Sequence, residues 1–474
     1  MIFSTSTSLD VFLRSAVANE LTFYLAALVL VVLTAESCIR LLKRDSFGIT
    51  VGVYVTVFAW YFVDPMINPE EYNYLPSSSL TLGYGQVLLF LIGFRFVVPA
   101  AARWILSRRS TGVFAMRRMS PEQILIVVGT LWFLLFAIGI YRMGGDVIGA
   151  VFPIDSRAGM TMFLAGGSAT DFLINSASYL FSAVTAFLGM LVLFQRTIFW
   201  RILAGAMFAI TLPYYFLSGT RSGFLAVMLP FIITYLFYGR HLLVLKLAIL
   251  AIAFFCLKEG FRFVQVFRLS GFREVLASKN PYDLMDDGVQ TVGLNMIEEL
   301  CFVNQYVDSG ETSPAYGGRY LNELLNFIPR SIWPSKPLLG FDYAIWRGFG
   351  SDTNEVGVKA TVATGMIGGG VLNFGKILGP VAAGTLMAFW IGLLMRWWEQ
   401  RKSLLRLALF MLGAALTFNL GRDITLLVLW PVVFGYFFIR LIEMWATRRF
   451  GRLPQVQTVA RPGAGAILAR PLTP

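Results

Sequence analysis

Arginines stand in short polar turns between apolar segments, where they are suited to bind a phosphate group. Arg221 lies in the turn Ser218–Gly223, and Arg422 lies in the turn Gly421–Asp423. A guanidinium group is planar and can donate two hydrogen bonds to one phosphate, so a set of such groups could clamp a diphosphate. The alternative is an ion pair with a nearby acid or contact with a lipid head group. A long polar segment adds further candidates for the clamp: Arg319, Arg330 and Lys336.

A reaction that needs a proton acceptor would have to use a carboxylate on the same side of the chain as these arginines. The single histidine, His241, falls in a short loop that we place on the opposite side. Glu299 and Glu323 are therefore the candidate general bases, with Asp423 as a third choice. One histidine and three cysteines exclude a histidine-based metal cage and a disulfide framework. We predict no metal and no cofactor.

Composition places these residues in a membrane protein. Of the 474 residues, 57% are hydrophobic and only 14% are charged, and the mean hydropathy is +0.69. The net charge of +12 does not indicate nucleic-acid binding, because the basic residues punctuate apolar segments instead of forming one polar face. A segment of about 20 apolar residues is needed to cross the hydrocarbon core, and such segments must be helical.

About eleven segments meet this requirement. They are Leu21–Leu42, Phe47–Val63, Leu80–Ala101, Gln123–Tyr141, Phe172–Phe194, Ile198–Leu217, Gly223–Tyr238, Leu242–Leu257, Ile377–Arg396, Leu404–Leu420 and Ile424–Ile442. The basic residues concentrate in alternate loops, which predicts an external N-terminus and a cytoplasmic C-terminus. Arg95 lies inside the third segment toward its cytoplasmic end, and we expect its side chain to extend to the interface.

The predicted fold is therefore an all-α bundle of transmembrane helices with one large external loop. We divide it into an N-terminal bundle (1–257), the loop (258–359), C-terminal transmembrane helices (360–446) and a disordered cytoplasmic tail (447–474). The loop opens with interleaved aromatic and basic residues, including Arg262 and Arg268, which predict an amphipathic helix at the interface. Trp333 precedes a proline-rich turn and also suits the interface. The glycines of Gly365–Gly370 favour a broken or re-entrant segment.

Three strings of the sequence resemble those of the O-antigen polymerase family, the oligosaccharide repeat-unit polymerases. The first is the turn Ser218–Gly223, the second runs from Tyr316 to Arg319-Tyr320 and on through Ile328–Pro337, and the third is Leu372–Lys376. Their order, within a chain of ten to fourteen spans and one late external loop, is similar to that of the family. The family often has an acid before the Asn-Phe-Gly string, whereas glycines stand there in this chain.

The resemblance implies a GT-C-like glycosyltransferase fold and a function at the periplasmic face of the bacterial inner membrane. The enzyme would transfer a growing glycan from undecaprenyl diphosphate to a new lipid-linked repeat unit, in O-antigen, capsule or exopolysaccharide synthesis, without a metal. Arg221 and Arg330 match the basic strings of the family and would act in catalysis. The residues expected to bind the lipid diphosphate and the glycan are Arg319, Lys336, Arg422, Arg262, Arg268, Trp333 and Asn373.

The implied partners are undecaprenyl-diphosphate-linked oligosaccharide, membrane lipids, and the chain-length regulator and flippase of the same pathway. Two alternatives stay open. A glycan ligase has a similar architecture, but its reaction is associated with an external histidine, and His241 is not external on our topology. A flippase or other transporter of lipid-linked oligosaccharides would be expected to carry charged residues in mid-span and repeated halves, and only Arg95 fits that pattern.

Overall fold

The computed structural model describes residues 15–107, 119–153, 171–217, 221–239, 295–325, 340–348 and 362–450, with isolated positions between them. Within these ranges every regular element is helical and no strand is present, which confirms the all-α class. The α-helices, numbered in chain order, are α1 (Leu21–Leu42), α2 (Val51–Tyr61), α3 (Val63–Ile67), α4 (Ser77–Ser107), α5 (Pro121–Arg142), α6 (Val147–Val151), α7 (Asp171–Phe194), α8 (Ile198–Leu217), α9 (Arg221–Tyr238), α10 (Met296–Asp308), α11 (Gly318–Leu324), α12 (Phe341–Trp346), α13 (Met366–Glu399), α14 (Leu404–Leu420) and α15 (Leu426–Phe450).

Seven helices of the described chain are long and apolar enough to cross a membrane: Leu21–Leu42, Ser77–Ser107, Pro121–Arg142, Ser176–Phe194, Ile198–Leu217, Met366–Glu399 and Val428–Trp445. Three shorter apolar helices accompany them: Ser46–Tyr61, Gly223–Tyr238 and Leu404–Leu420. The multispanning architecture is thus confirmed, although the count of about eleven is reached only in part. Half of the predicted span Leu242–Leu257 lies outside the described residues.

Local sequence explains where the spans begin. At the start of α5, the Ser120 hydroxyl accepts a hydrogen bond from the Gln123 N–H (3.3 Å), and the Gln123 side chain accepts one from the Ser120 N–H (3.2 Å). Pro121 occupies the first helical position, where its missing N–H costs nothing. The apolar run that follows then continues the helix to Arg142.

The helices form one bundle in which α13 packs along α4 over a long interface. A second group consists of α7, α8 and α9, and it joins the first through contacts of α9 with α14 and of α15 with α7. Phe237 near the end of α9 packs against Trp398 near the end of α13, with ring centroids 6.1 Å apart, and α14 begins shortly after α13. The start of α9 and the end of α14 therefore lie at the same side, which the charge distribution predicts to be external. We call this side the outer end of the bundle.

Helix α13 is broken at Gly375, whose φ of 78° and ψ of 178° are not helical. Residues 366–374 form a short arm and residues 376–399 a long arm. A Cβ built on Gly370 would lie 2.3 Å from the carbonyl oxygen of Gly379. Nine residues of a straight helix rise about 13.5 Å, so this contact requires the short arm to fold back on the long arm. The predicted broken segment is therefore present, with its break five residues beyond the glycine run.

The break leaves carbonyl groups that need donors from elsewhere in the chain. Pro380 has no N–H, so the carbonyl of Lys376 has no partner four residues on. The Gln86 side chain of α4 supplies that donor at 3.1 Å. The carbonyl of Leu372 instead accepts the Ala315 N–H at 3.0 Å. Helix α4 and the long loop thus hold the break in place.

Charged residues within the bundle are paired. Arg95 of α4 contacts Glu36 of α1, with Nη2 and Oε1 3.1 Å apart. The expectation that Arg95 extends to the interface did not include this partner, a carboxylate on the neighbouring helix. Near the predicted cytoplasmic end, the almost fully buried Arg406 donates from Nε to Oε1 of Glu443 at 2.7 Å. Such pairing lowers the cost of placing a charge away from water.

Candidate functional site

Three oxygen atoms converge on one face of Gly369 in the short arm. From the position where a Cβ of Gly369 would lie, the distance is 3.6 Å to Oδ1 of Asp423, 3.6 Å to Oγ1 of Thr364 and 3.7 Å to Oη of Tyr320. Glycine therefore leaves a small space that polar atoms surround. We call Asp423, Tyr320, Thr364 and Gly369 the outer polar cluster. It lies at the outer end of the bundle, between the long loop, the short arm and the α14–α15 turn.

Asn373 positions Tyr320 and the short arm relative to each other. Its Nδ2 donates to the carbonyl of Gly369 at 2.8 Å, and its Oδ1 accepts the Tyr320 N–H at 3.4 Å. The ring of Tyr320 lies 6.4 Å from that of Phe374, measured between centroids. Asn373 itself is almost fully buried. The predicted substrate-binding residue Asn373 thus lies behind the cluster and supports it.

The start of the short arm is fixed by the elements around it. Gly365 has a φ of 78°, which glycine adopts without strain. The Met366 N–H donates to the carbonyl of Gly421 at 3.2 Å, and the Ile367 N–H donates to Oη of Tyr61 at 3.0 Å. Two of the amides that a helix start leaves without intrahelical partners are therefore bound. These bonds join the short arm to α2 and to the turn that carries Asp423.

The environment of Asp423 brings the pKa of its carboxyl group close to neutral pH. Loss of contact with water raises the pKa of Asp423 to about 7, while the charge of Arg422 and the N–H of Ile424 oppose this rise. Burial, with a further contribution from the charge of Asp423, raises the pKa of Tyr320 far above its usual value. Asp423 can therefore accept or release a proton at physiological pH, whereas Tyr320 stays a neutral hydroxyl.

The hydroxyl oxygen of Tyr320 is buried and has no hydrogen-bond partner among the described residues. A buried hydroxyl without a partner costs free energy, which a bound ligand would recover. Together with Thr364 and Asp423, Tyr320 can bind a hydroxyl group that enters the space above Gly369. Arg422 is exposed beside the cluster and can contact an anion.

Three of the basic residues predicted for the clamp lie among the described residues: Arg221, Arg319 and Arg422. Arg422 lies at the end of α14, and Arg221 is the first residue of α9, which packs against α14. Their backbones are thus placed at the same end of neighbouring helices. Arg319, in contrast, is paired with Asp342 and also donates to the Thr312 hydroxyl at 3.3 Å. Four predicted basic residues lie outside the described residues: Arg330, Lys336, Arg262 and Arg268.

The contacts of Glu299 indicate a structural role. Its carboxylate is buried and accepts hydrogen bonds from Oη of Tyr343 at 2.6 Å and from Nη2 of Arg347 at 3.0 Å. A second bond from Nε of Arg347 measures 3.3 Å. These donors hold the carboxylate in a buried ion pair. Together with the Arg319–Asp342 pair, they tie the loop helices α10, α11 and α12 into one folded unit.

The remaining predicted site residues lie around the cluster or apart from it. Glu323 follows Tyr320 by one turn of α11, and its charge contributes to the raised pKa of Tyr320. Trp333 is a single described position between two undescribed stretches, so its relation to the cluster is not defined. Among the described residues, no three His, Cys, Asp or Glu side chains lie close enough together to hold a metal ion.

The fold and this site define a multi-pass, all-α membrane protein with a polar cluster at one end of the bundle. No family model, curated protein or solved structure matches the chain.

The structure brings Asp423, and not Glu299, into the outer polar cluster, and it adds the hydroxyl groups of Tyr320 and Thr364. Asp423 was our third choice, although it stands alone with Arg422 in a short turn between two apolar helices. That position was the available signal, because a turn between spans exposes few polar residues. Nothing in the sequence singled out Thr364, since its role depends on the fold of the short arm. Tyr320 stands out in the sequence only as a member of the string Tyr316–Tyr320 that resembles the family.

Proposed function

We propose that the protein polymerises lipid-linked oligosaccharide repeat units at the periplasmic face of the bacterial inner membrane. The observation that carries the proposal is the meeting of the loop string Tyr316–Tyr320, the string Leu372–Lys376 and the turn of Asp423 in one polar cluster. Two of these segments are among those that resemble the O-antigen polymerases. The remaining string that resembles the family, Ser218–Gly223, leads into α9. Helix α9 packs against α14, the helix that precedes the turn of Asp423.

The growing glycan is attached through its anomeric carbon to undecaprenyl diphosphate, which is a good leaving group. Asp423 accepts the proton of the acceptor hydroxyl, while Tyr320 and Thr364 orient that hydroxyl by hydrogen bonds. The acceptor oxygen forms a bond to the anomeric carbon as the bond from that carbon to the diphosphate oxygen breaks. The electron pair leaves with the diphosphate, and the configuration of the anomeric carbon is inverted.

Arginine side chains stabilise the negative charge that develops on the departing diphosphate. We assign this role to Arg422, which follows the end of α14, to Arg221, which begins α9, and to Arg330 because of its place in the loop string. Stabilising charge in a site shielded from water is often the largest contribution of an enzyme to its rate. No metal or nucleotide sugar is needed, because the diphosphate is already an activated leaving group.

The implied partners follow from this reaction. The substrate is undecaprenyl-diphosphate-linked oligosaccharide, which reaches the outer end through the surrounding membrane lipids. A flippase must supply new repeat units to this face, and a chain-length regulator is the expected protein partner. The product class is O-antigen, capsule or exopolysaccharide.

Deletion of the gene followed by gel separation of the cell's glycolipids tests this proposal. Material capped with a single repeat unit is the expected result, and restoring the wild-type chain should restore the ladder. Asp423→Asn and Arg221→Ala should fail to restore it while reaching the membrane in normal amounts. Glu70→Gln, an exposed carboxylate of the first outer loop, is the matched control and should restore the ladder. Lipid-linked polymer that still lengthens in the deletion strain would show that the protein ligates or exports glycans.

A further inference from the structure

Tyr316 has a backbone conformation that a bulky residue rarely adopts. Its φ is 48°, and among the described non-glycine residues only Arg44 shares a positive φ. The next residue, Gly317, has a φ of 87°. The left-handed region brings the Cβ of an L residue close to its own backbone, and glycine or asparagine occupies it at lower cost. Such strain persists where the surrounding structure enforces it, and it is concentrated at functional sites.

The turn that holds Tyr316 is pinned to the break in α13. The Ala315 N–H donates to the carbonyl of Leu372 at 3.0 Å, and the Gly318 N–H donates to the carbonyl of Ala315 at 2.7 Å. A Cβ on Gly317 would lie 3.3 Å from the ring of Phe374. The turn therefore has little freedom to relax, and the strain at Tyr316 is imposed by these contacts.

The strained turn presents the Tyr316 ring to its surroundings. The residue is 86% exposed, whereas the ring of Tyr320, four positions on, packs against Phe374. An exposed aromatic ring gains no stability from packing. Packing of this side chain therefore does not offset the backbone strain of the turn.

The chemistry around Tyr316 selects the class of ligand. Pro314 lies against Gly375, at 3.7 Å from its Cβ position, and the adjacent Lys376 forms an ion pair with Asp308. The turn that carries Tyr316 therefore lies at the same break as these charged hydrogen-bonding groups. A pyranose ring has an apolar C–H face and a rim of hydroxyls, which match an aromatic plane and such groups. Exposed Asp308 and Glu311 disfavour the alternative, an anchor among anionic lipid head groups.

We infer that Tyr316 is a stacking platform for a pyranose ring of the lipid-linked saccharide. This inference rests on the proposed function, because it names where the glycan lies next to the reacting hydroxyl. Tyr316 and Tyr320 are four residues apart, so their Cα atoms lie within about 14 Å. The platform and the outer polar cluster therefore contact neighbouring parts of one saccharide, and Tyr316 is a specificity-determining residue.

The test uses the full chain in lipid nanodiscs and a soluble probe. The probe is the repeat-unit oligosaccharide released by mild acid from the lipid-linked material of a strain that lacks the protein. Its Kd is measured by saturation-transfer NMR for the wild type, Tyr316→Phe and Tyr316→Asn. The control is Tyr141→Asn, which removes an 84% exposed tyrosine from the outer end of α5. Asparagine is chosen because it tolerates the left-handed conformation, so loss of folding is not expected.

Tyr316→Phe should bind the probe as the wild type does, and Tyr316→Asn should bind it about tenfold more weakly. Tyr141→Asn should leave the Kd unchanged. An unchanged Kd in Tyr316→Asn, an equal loss in Tyr141→Asn, or no binding to the wild type would each overturn the platform. The failure of the proposed function is seen separately: a wild type that binds the probe through Tyr316 but elongates no lipid-linked glycan keeps the platform and loses the polymerase.

Discussion

The Nε2 atom of Gln86 donates to the carbonyl of Lys376 across 3.1 Å, at the point where Pro380 leaves that carbonyl without a helical partner. The same amide group forms a reciprocal pair with Asn304 of α10, with N–O distances of 2.9 and 2.8 Å. Asn304 also donates to the carbonyl of Leu300 at 3.0 Å. Every N–H of the two amides is therefore bound. One side-chain pair links α4, the long loop and the broken helix.

Gln86→Leu should lower the free energy of unfolding by about 1–2 kcal/mol, because the Lys376 carbonyl loses its donor and the Asn304 amide loses two of its three hydrogen bonds. Thermal unfolding in nanodiscs measures this change. Asn304→Leu should have a similar effect, and the double variant should be less destabilised than the sum of the two. Strict additivity would show that the amides do not act as a pair.

Apolar length was sufficient to predict the membrane bundle, and the bounds of α1, α8 and α14 were predicted to the residue. The candidate site was harder to predict from the sequence, because it depends on contacts between residues that are far apart in the chain. Glycines at 365–370 indicated a broken segment, but the fold-back at Gly375 arises from the pairing of Gly370 with Gly379. No local pattern reports that contact.

The acids illustrate the same limit. Glu299 and Asp423 are both outer carboxylates near apolar helices, and spacing alone does not distinguish them. The difference lies in their neighbours, since Arg347 and Tyr343 bind Glu299. Asp423 instead faces the hydroxyl side of Tyr320 across Gly369. Only the three-dimensional arrangement separates a buried ion pair from a carboxyl group that is available for chemistry.

Polymerisation should depend on the protonation of Asp423. Because the pKa of Asp423 is raised to about 7, the carboxylate that accepts a proton is scarce below that pH and abundant above it. The turnover of purified protein on lipid-linked substrate should therefore rise with pH through about 7 and then level off. Asp423→Asn should reduce turnover by about 10²–10⁴-fold, which is the usual contribution of a general base, and remove this dependence.

A variant Asp423→Glu provides the control, because it keeps a titratable carboxyl at a slightly different position. It should retain a pH-dependent residual turnover. If Asp423→Asn retains the wild-type profile, the proton is accepted elsewhere, and Glu323 becomes the next candidate.

Glu299 should contribute to stability and not to the pH profile. Glu299→Ala leaves the half-buried Arg347 guanidinium without its carboxylate, and breaking a buried pair from one side costs about 3–5 kcal/mol. Denaturation in detergent should show this loss. Replacing both partners, as Glu299→Leu with Arg347→Met, should recover part of it. A stable Glu299→Ala protein without turnover would instead restore Glu299 as a catalytic residue.

Tyr316→Asn should stabilise the protein while it weakens saccharide binding. Relief of the left-handed strain is worth about 1–2 kcal/mol, and the 86% exposed ring loses no packing. The midpoint of thermal unfolding should therefore rise. Tyr320→Asn is a useful contrast, because it removes a ring that contacts Phe374 and should lower the midpoint. A lower midpoint for Tyr316→Asn would mean that the ring stabilises the fold.

Alanine substitutions at two adjacent glycines should have different effects, one on ligand binding in the outer polar cluster and the other on the fold of the short arm. A methyl group at Gly369 would lie 3.6–3.7 Å from the oxygens of Asp423, Thr364 and Tyr320, which is ordinary van der Waals contact. Gly369→Ala should therefore fold, with up to about 1 kcal/mol of added helix propensity, and yet exclude a ligand hydroxyl from the space above residue 369. We expect normal amounts in the membrane, an unchanged or raised unfolding midpoint and a loss of polymerisation.

Gly370→Ala is the matched variant: its methyl group would lie 2.3 Å from the Gly379 carbonyl oxygen, so the arms must separate and the midpoint should fall. Full polymerisation by Gly369→Ala would show that the acceptor does not enter this space.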